Sequence, residues 1–158
     1  MKKAILLFSI LLLIGCKSKT TVSTPKPEEA KIVKLNPATV GQDQKNKAYE
    51  LGKRVLMTCN TSKFKPFNES EATSSVIKNT TEEKLTKTCT KFRQFYGTFK
   101  DLELIEIYKN TTEQTTVFRY KALYTKKVAN KELRVSLNEQ NRVSSIKSLD
   151  WVDAYESK

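Results

Sequence analysis

The sequence predicts an α+β fold, three N-terminal helices packed on a four-stranded antiparallel sheet. Two observations carry this. Apolar residues recur at helical spacing over about 43–96, and after Gly97 the period changes to the alternation of strands. Turn-forming clusters at 110–113, 127–130 and 138–141 then divide the second half into hairpins. Helices followed by hairpin-linked strands pack with the helices on one sheet face.

The first helix is predicted over about 43–59. Ala48, Leu51, Gly52, Val55, Leu56 and Cys59 share one face, with Lys45, Lys47, Glu50, Lys53 and Arg54 largely off it. Phe64-Lys65-Pro66-Phe67 reads as a turn carrying two aromatic plugs. A short helix over 70–78 turns Ala72, Val76 and Ile77 inward. The third helix opens on a capping box, with Thr80 at the N-cap and Glu83 three residues on. Its apolar face is Leu85, Thr88, Cys89, Phe92, Phe95 and Tyr96, and Gly97 is placed to end it in a left-handed cap.

The first long strand covers 102–108. Its alternation slips between Leu104 and Ile105, which predicts a bulge. The second covers 115–126, with Phe118, Tyr120, Ala122 and Tyr124 on one face and Arg119, Lys121 and Thr125 on the other. The third, 131–137, alternates cleanly: Leu133, Val135 and Leu137 in, Glu132, Arg134 and Ser136 out. The last covers 143–149, and Trp151 is expected to close the core.

The N-terminus carries a different signal. Residues 1–16 read MKKAILLFSILLLIGC: a basic start, an apolar run too short for a permanent membrane helix, then Leu13-Ile14-Gly15-Cys16. These residues resemble the signal peptide and lipobox of bacterial lipoproteins. The resemblance implies cleavage after Gly15 and a diacylglyceryl group on the Cys16 sulfur. An ordinary signal peptide with a chance cysteine, or a short membrane anchor, is the plainer alternative. Lipidation would hold the chain stably to a membrane, since two or more acyl chains anchor where one does so only marginally. The expected location is the bacterial cell envelope, on the outer membrane facing the periplasm.

Three segments follow: a lipoprotein signal peptide at 1–15, the lipidated Cys16 and a flexible tether at 16–42, and one α+β domain at 43–158. The stretch 17–41 is polar and holds three of the four prolines. Ile32, Val33 and Leu35 are the only residues there that favour an ordered arm.

Within 43–151 the order of elements and a Tyr-Gly junction resemble the cone-shaped α+β domains of the nuclear-transport-factor-two-like superfamily, in its uncharacterised bacterial branch. The residues that carry it are Phe92-Arg-Gln-Phe95-Tyr96-Gly97-Thr-Phe99-Lys, Val117-Phe-Arg-Tyr120-Lys-Ala122-Leu-Tyr124 and Leu133-Arg-Val135-Ser-Leu137-Asn-Glu. The resemblance implies that the sheet is curved and cone-like, with a cavity between sheet and helices. Phe92, Tyr96, Phe118, Tyr120 and Tyr124 are the candidate lining, since tyrosine offers an apolar ring and a polar tip. Plain core packing is the commoner fate of aromatic stripes at strand spacing.

The composition excludes much chemistry. The chain has no histidine, so the usual general base and commonest metal ligand are missing, and with them Ser-His-Asp and Cys-His catalysis. None of the four glycines sits in a phosphate-cradling motif. No zinc-type cysteine pairing exists. No catalytic residue, metal site or cofactor is therefore assigned. Cys59 and Cys89, the only cysteines besides Cys16, are candidates for a disulfide in an oxidising compartment, or for two buried thiols. The four Asn-x-Ser/Thr sequons, at Asn60, Asn68, Asn79 and Asn110, carry little meaning in a bacterial export product.

Loss of Lys2 and Lys3 with the signal leaves 27 basic residues of the original 29 against 17 acidic. The lysines are scattered and no nucleic-acid-binding motif is present, so the partner is not nucleic acid. A basic surface suits anionic lipid or another acidic envelope component, and equally serves solubility. Arg119, Lys121 and Arg134 are expected on a solvated outer sheet face. The leading functional expectation is a membrane-tethered, non-enzymatic domain that binds an apolar, amphiphilic or acidic envelope ligand or a partner protein. The alternatives are an isomerase- or dehydratase-like enzyme, which needs a carboxylate and an oxyanion donor in the cavity, and an immunity-like inhibitor lipoprotein. Glu103 and Glu106 lie near Tyr108 but are expected to face solvent. Oligomeric state is not legible.

Overall fold

The computed structural model describes residues 31–126 and 131–156. The segment expected to be a signal peptide, Cys16 and the turn expected at 127–130 lie outside them. The chain runs β1 (Ile32–Leu35), α1 (Gln42–Thr61), α2 (Ser74–Asn79), α3 (Glu82–Tyr96), β2 (Phe99–Asn110), β3 (Thr115–Tyr124), β4 (Lys131–Leu137) and β5 (Val143–Asp150), with a 3-10 turn at Pro37–Thr39. The strands form one antiparallel meander in the order β1-β2-β3-β4-β5. The class is α+β, with helices on one sheet face.

The sheet has five strands, not four, and residues 31–42 are not all tether. β1 pairs with the far end of β2, from Ile32 opposite Asn110 to Leu35 opposite Ile107. Leu35 packs on the core and Val40 is buried in it. On the other face Lys34 reaches Glu106 at 2.8 Å. Four residues give too short an alternation to read, and the pairing partner lies far along the chain.

α1 lies close against β4 because Gly52 faces the sheet. A Cβ there would meet Leu133 Cδ2 at 2.9 Å and Val135 Cγ2 at 3.0 Å. Asn60 pins the helix end to β2 in the manner of a strand partner: its Nδ2 donates to the Phe99 carbonyl at 2.8 Å, and the Phe99 N–H donates to its Oδ1 at 3.1 Å. α2 is shorter than expected. Ala72 falls before it, in a parallel bridge to Val143 that ties this connection to β5.

α3 starts one residue later than the capping box predicts. Thr81, not Thr80, is the N-cap, and its hydroxyl accepts from the Lys84 N–H. The side chain of Glu82, the first residue of α3, accepts from the Phe64 N–H at 2.8 Å, joining α3 to the aromatic turn. Gly97 ends the helix with φ 80° and ψ −150°. That region is open only to glycine, and it differs from the left-handed helical cap expected. Thr125 Oγ1 would lie 2.1 Å from a Cβ at this position. The bulge in β2 is where the alternation slips, between Leu104 and Glu106.

The core lies between helices and sheet. Ile107, Phe118, Tyr120, Leu133, Val135 and Leu137 form its sheet side. Trp151 does not close it. The chain after β5 folds onto the opposite sheet face, where the Trp151 ring lies 4.1 Å from the Arg119 guanidinium carbon.

Candidate functional site

At the end of the core beyond Tyr120 the packing opens. Val55, Leu56 and Cys59 of α1, Leu85, Thr88 and Phe92 of α3, and Gly97, Phe99, Tyr124 and Ser148 at the sheet end line a cleft of about 240 Å³. The helical period puts the first six on facing stripes. The Cys59–Cys89 disulfide joins the two helices beside the cleft, with Cα atoms 4.8 Å apart. No carboxylate, lysine or arginine is among these residues.

The candidate lining residues divide. Phe92 and Tyr124 line the cleft. Tyr96 lies beside both, its ring 5.2 Å from Phe92 and 5.6 Å from Tyr124. Phe118 and Tyr120 do not line it. They are 0% and 1% exposed, packed within the closed core. α1 crosses close over β4 and covers them, so this part of the aromatic stripe is core. Burial, reinforced by neighbouring Tyr96, pushes the Tyr124 phenol up to about 12, and it stays neutral at physiological pH. Burial also raises Tyr120. Lys131 stands over the outer aromatic pair, 5.7 Å from the Phe92 ring and 5.5 Å from that of Tyr96, held by Asp150 at 2.8 Å.

The opposite face of the sheet holds the main electrostatic feature. Arg119 and Arg134 are not solvated: they are 1% and 5% exposed. Fully buried Glu132 accepts from Arg119 Nε at 2.9 Å and from Arg134 Nε. Arg119 Nη1 also donates to Glu106 at 2.7 Å. The chain after β5 seals the group. Arg119 donates to the carbonyls of Val152 and Asp153, and Arg134 to that of Glu156. Tyr155 stacks on Tyr108 with ring centroids 4.0 Å apart.

Glu106 is therefore not the solvent-facing residue expected, whereas Glu103 is exposed. Burial alone would raise the Glu106 carboxyl, but hydrogen bonds from Lys34, Arg119 and Tyr108, with the charge of Lys34, hold it down to about 2. Tyr108 is pushed up to about 12, by burial and then by its bond to Glu106. Burial would lower Arg119, and its bonds to Glu132 and Glu106 outweigh that and raise it. Arg119, Arg134, Glu132 and Glu106 are all paired with opposite charges. Sequence reading placed Glu132 and Arg134 on this face correctly. It missed the cover, because residues 151–156 have no periodicity to read.

Among the described residues no group of three His, Cys, Asp or Glu could hold a metal ion, and no helix is long and apolar enough to cross a membrane. No protein-family model, no curated protein and no solved structure matches this chain.

Proposed function

We propose that this chain is a lipid-anchored protein of the bacterial envelope whose α+β domain binds without turnover, taking a small apolar group, such as the end of an acyl chain or an apolar side chain, into the cleft between α1 and α3. The observation that carries this is the lining of the cleft. It is apolar apart from Thr88, the Tyr124 phenol and Ser148, and contains no group that titrates near neutral pH. An isomerase-like reading needs a carboxylate inside the cavity, and the carboxylates near Tyr108 lie across the sheet. The volume, about 240 Å³, is below the usual range for a drug-sized ligand. It suits insertion of part of a larger amphiphile. The lipobox resemblance at Leu13-Ile14-Gly15-Cys16 supports a membrane setting in which such amphiphiles abound.

Decanoate is the probe. An unlipidated chain from residue 17 onward, titrated with it, is expected to show amide shift changes centred on Thr88, Phe92 and Gly97. Thr88 is exposed at the mouth, so Thr88→Trp should block the cleft without disturbing the core and abolish the response. Shifts spread over the whole surface, or a response that survives Thr88→Trp, would refute the cleft reading.

A further inference from the structure

We propose that a pocket at the Asn110–Thr115 end of the outer sheet face is a second binding site, for a neutral polyhydroxylated ligand the size of one or two saccharide rings. It lies across the sheet from the apolar cleft and does not depend on it. A pocket of about 500 Å³ is set there, within the range of small-molecule sites.

Its floor is a patch of small neutral polar side chains spanning neighbouring strands. Thr115 on β3 pairs with Asn110 on β2, and Ser136 on β4 pairs with Ser145 on β5. All four line the pocket. Thr115 is 5% exposed, and its Oγ1 is buried with no hydrogen-bond partner among the described residues. The large majority of buried side-chain polar atoms are hydrogen-bonded, because leaving one unpaired is costly. A ligand hydroxyl would pair it.

The charges argue for a neutral ligand. Arg134 lies at the pocket but is committed to Glu132 and the Glu156 carbonyl. Lys147 is engaged too. Glu113 adds a carboxylate to the wall, which opposes an anion. The wall formed by Tyr155 is preformed, because its ring is stacked on Tyr108 and lies 4.3 Å from the Arg134 guanidinium carbon. Preformed walls lower the ordering cost of binding.

The test uses the full chain in a zwitterionic, sugar-free detergent. N-acetylglucosamine, its β1-4 dimer and maltose are offered, with inorganic phosphate as the anionic arm, and binding is read by saturation-transfer NMR and titration. At least one saccharide should bind. Thr115→Val should weaken it about tenfold, the worth of one hydrogen bond, while leaving the melting temperature unchanged or raised, since it removes an unpaired buried hydroxyl. Ser145→Ala, at a half-buried position, should weaken binding as well, and decides the matter if Thr115→Val does not fold. Thr88→Trp should leave saccharide binding intact, so the two sites fail separately. Binding by none of the saccharides, binding by phosphate alone, or saccharide binding unchanged in both hydroxyl variants would overturn the proposal.

Discussion

Arg119 and Arg134 stand directly opposite each other on β3 and β4, and the Glu132 carboxylate accepts from both. Two like charges in a cross-strand pair destabilise a sheet unless something neutralises them. Here Glu132 does so from two pairs along, the next position on that face, opposite Lys121. The chain after β5 then removes the group from water, with Trp151 over one guanidinium and Tyr155 over the other.

Removing the middle charge should therefore be severe. Glu132→Gln keeps the shape but leaves Arg134 buried without its carboxylate and Arg119 with Glu106 alone. The expected cost is about 3–5 kcal/mol, the usual penalty for breaking a buried pair. Replacing all three residues together, Arg119→Met, Glu132→Leu and Arg134→Met, should recover most of it, because apolar groups of similar volume need no desolvation of charge. Urea unfolding at neutral pH measures both. A single variant as stable as the parent would mean that the cluster is solvated.

Acid should act through Glu106. Its carboxyl is held down to about 2 in the folded state, from an ordinary value of 4.5. A carboxyl more acidic when folded contributes stability that is whole above the unfolded value and is lost as pH falls through the folded one. Glu71 is lowered by its Arg54 bond and Asp101 by its Tyr49 bond, so both push the same way. The urea midpoint should stay level from pH 7 to about 5 and fall between about 4.5 and 2. Glu106→Gln should lower the midpoint at pH 7 and converge on the parent near pH 2. A parent curve level down to pH 2.5 would contradict the pairing.

What sequence could reveal depended on how local the cause was. Leu133, Val135 and Leu137 alternate within one strand, so their inward face was plain, and the slip at Leu104 marked the bulge. The α3 cap falls one residue later than the capping box places it, because Thr81 accepts from the Lys84 N–H and Glu83, the other half of the box, pairs with Lys87 instead. β1 went unread because its partner is on a strand some 75 residues away. Phe92 and Tyr124 do line a cleft, but nothing local says that Phe118 and Tyr120, on the same stripe, are covered by α1. The burial of Arg119 and Arg134 was invisible for the same reason, since their cover is an irregular segment.

The bridge between α1 and α3 closes a loop with a sequence separation of 30. Chain-entropy reasoning gives about 3–4 kcal/mol for a loop of that length. Replacing Cys59 and Cys89 together by serine should lower stability by roughly that much, and dithiothreitol should destabilise the parent but not the double variant. Since the bridge lies beside the cleft, decanoate affinity should drop in the double variant as the helices loosen. A parent insensitive to reductant, with two titratable thiols under denaturing conditions, would show that the helices are not joined.

The last prediction concerns anchorage. Among the described residues no helix could cross a membrane. If Leu13-Ile14-Gly15-Cys16 acts as a lipobox, the mature chain begins at Cys16 and carries its lipid on that sulfur. A diacylglyceryl group contributes about 0.8 kcal/mol for each methylene buried, and two chains anchor where one exchanges. Wild-type protein should then fractionate with membranes, resist extraction by high salt and enter detergent, with an intact mass heavier than the chain from Cys16 by a lipid adduct. Salt resistance matters because the mature domain is basic, and electrostatic adsorption to anionic lipid is screened by salt whereas acyl insertion is not. Cys16→Ala should abolish the adduct and the partition into detergent. An unmodified wild-type mass, or membrane binding that salt removes, would refute lipidation and leave adsorption of the basic surface as the cause.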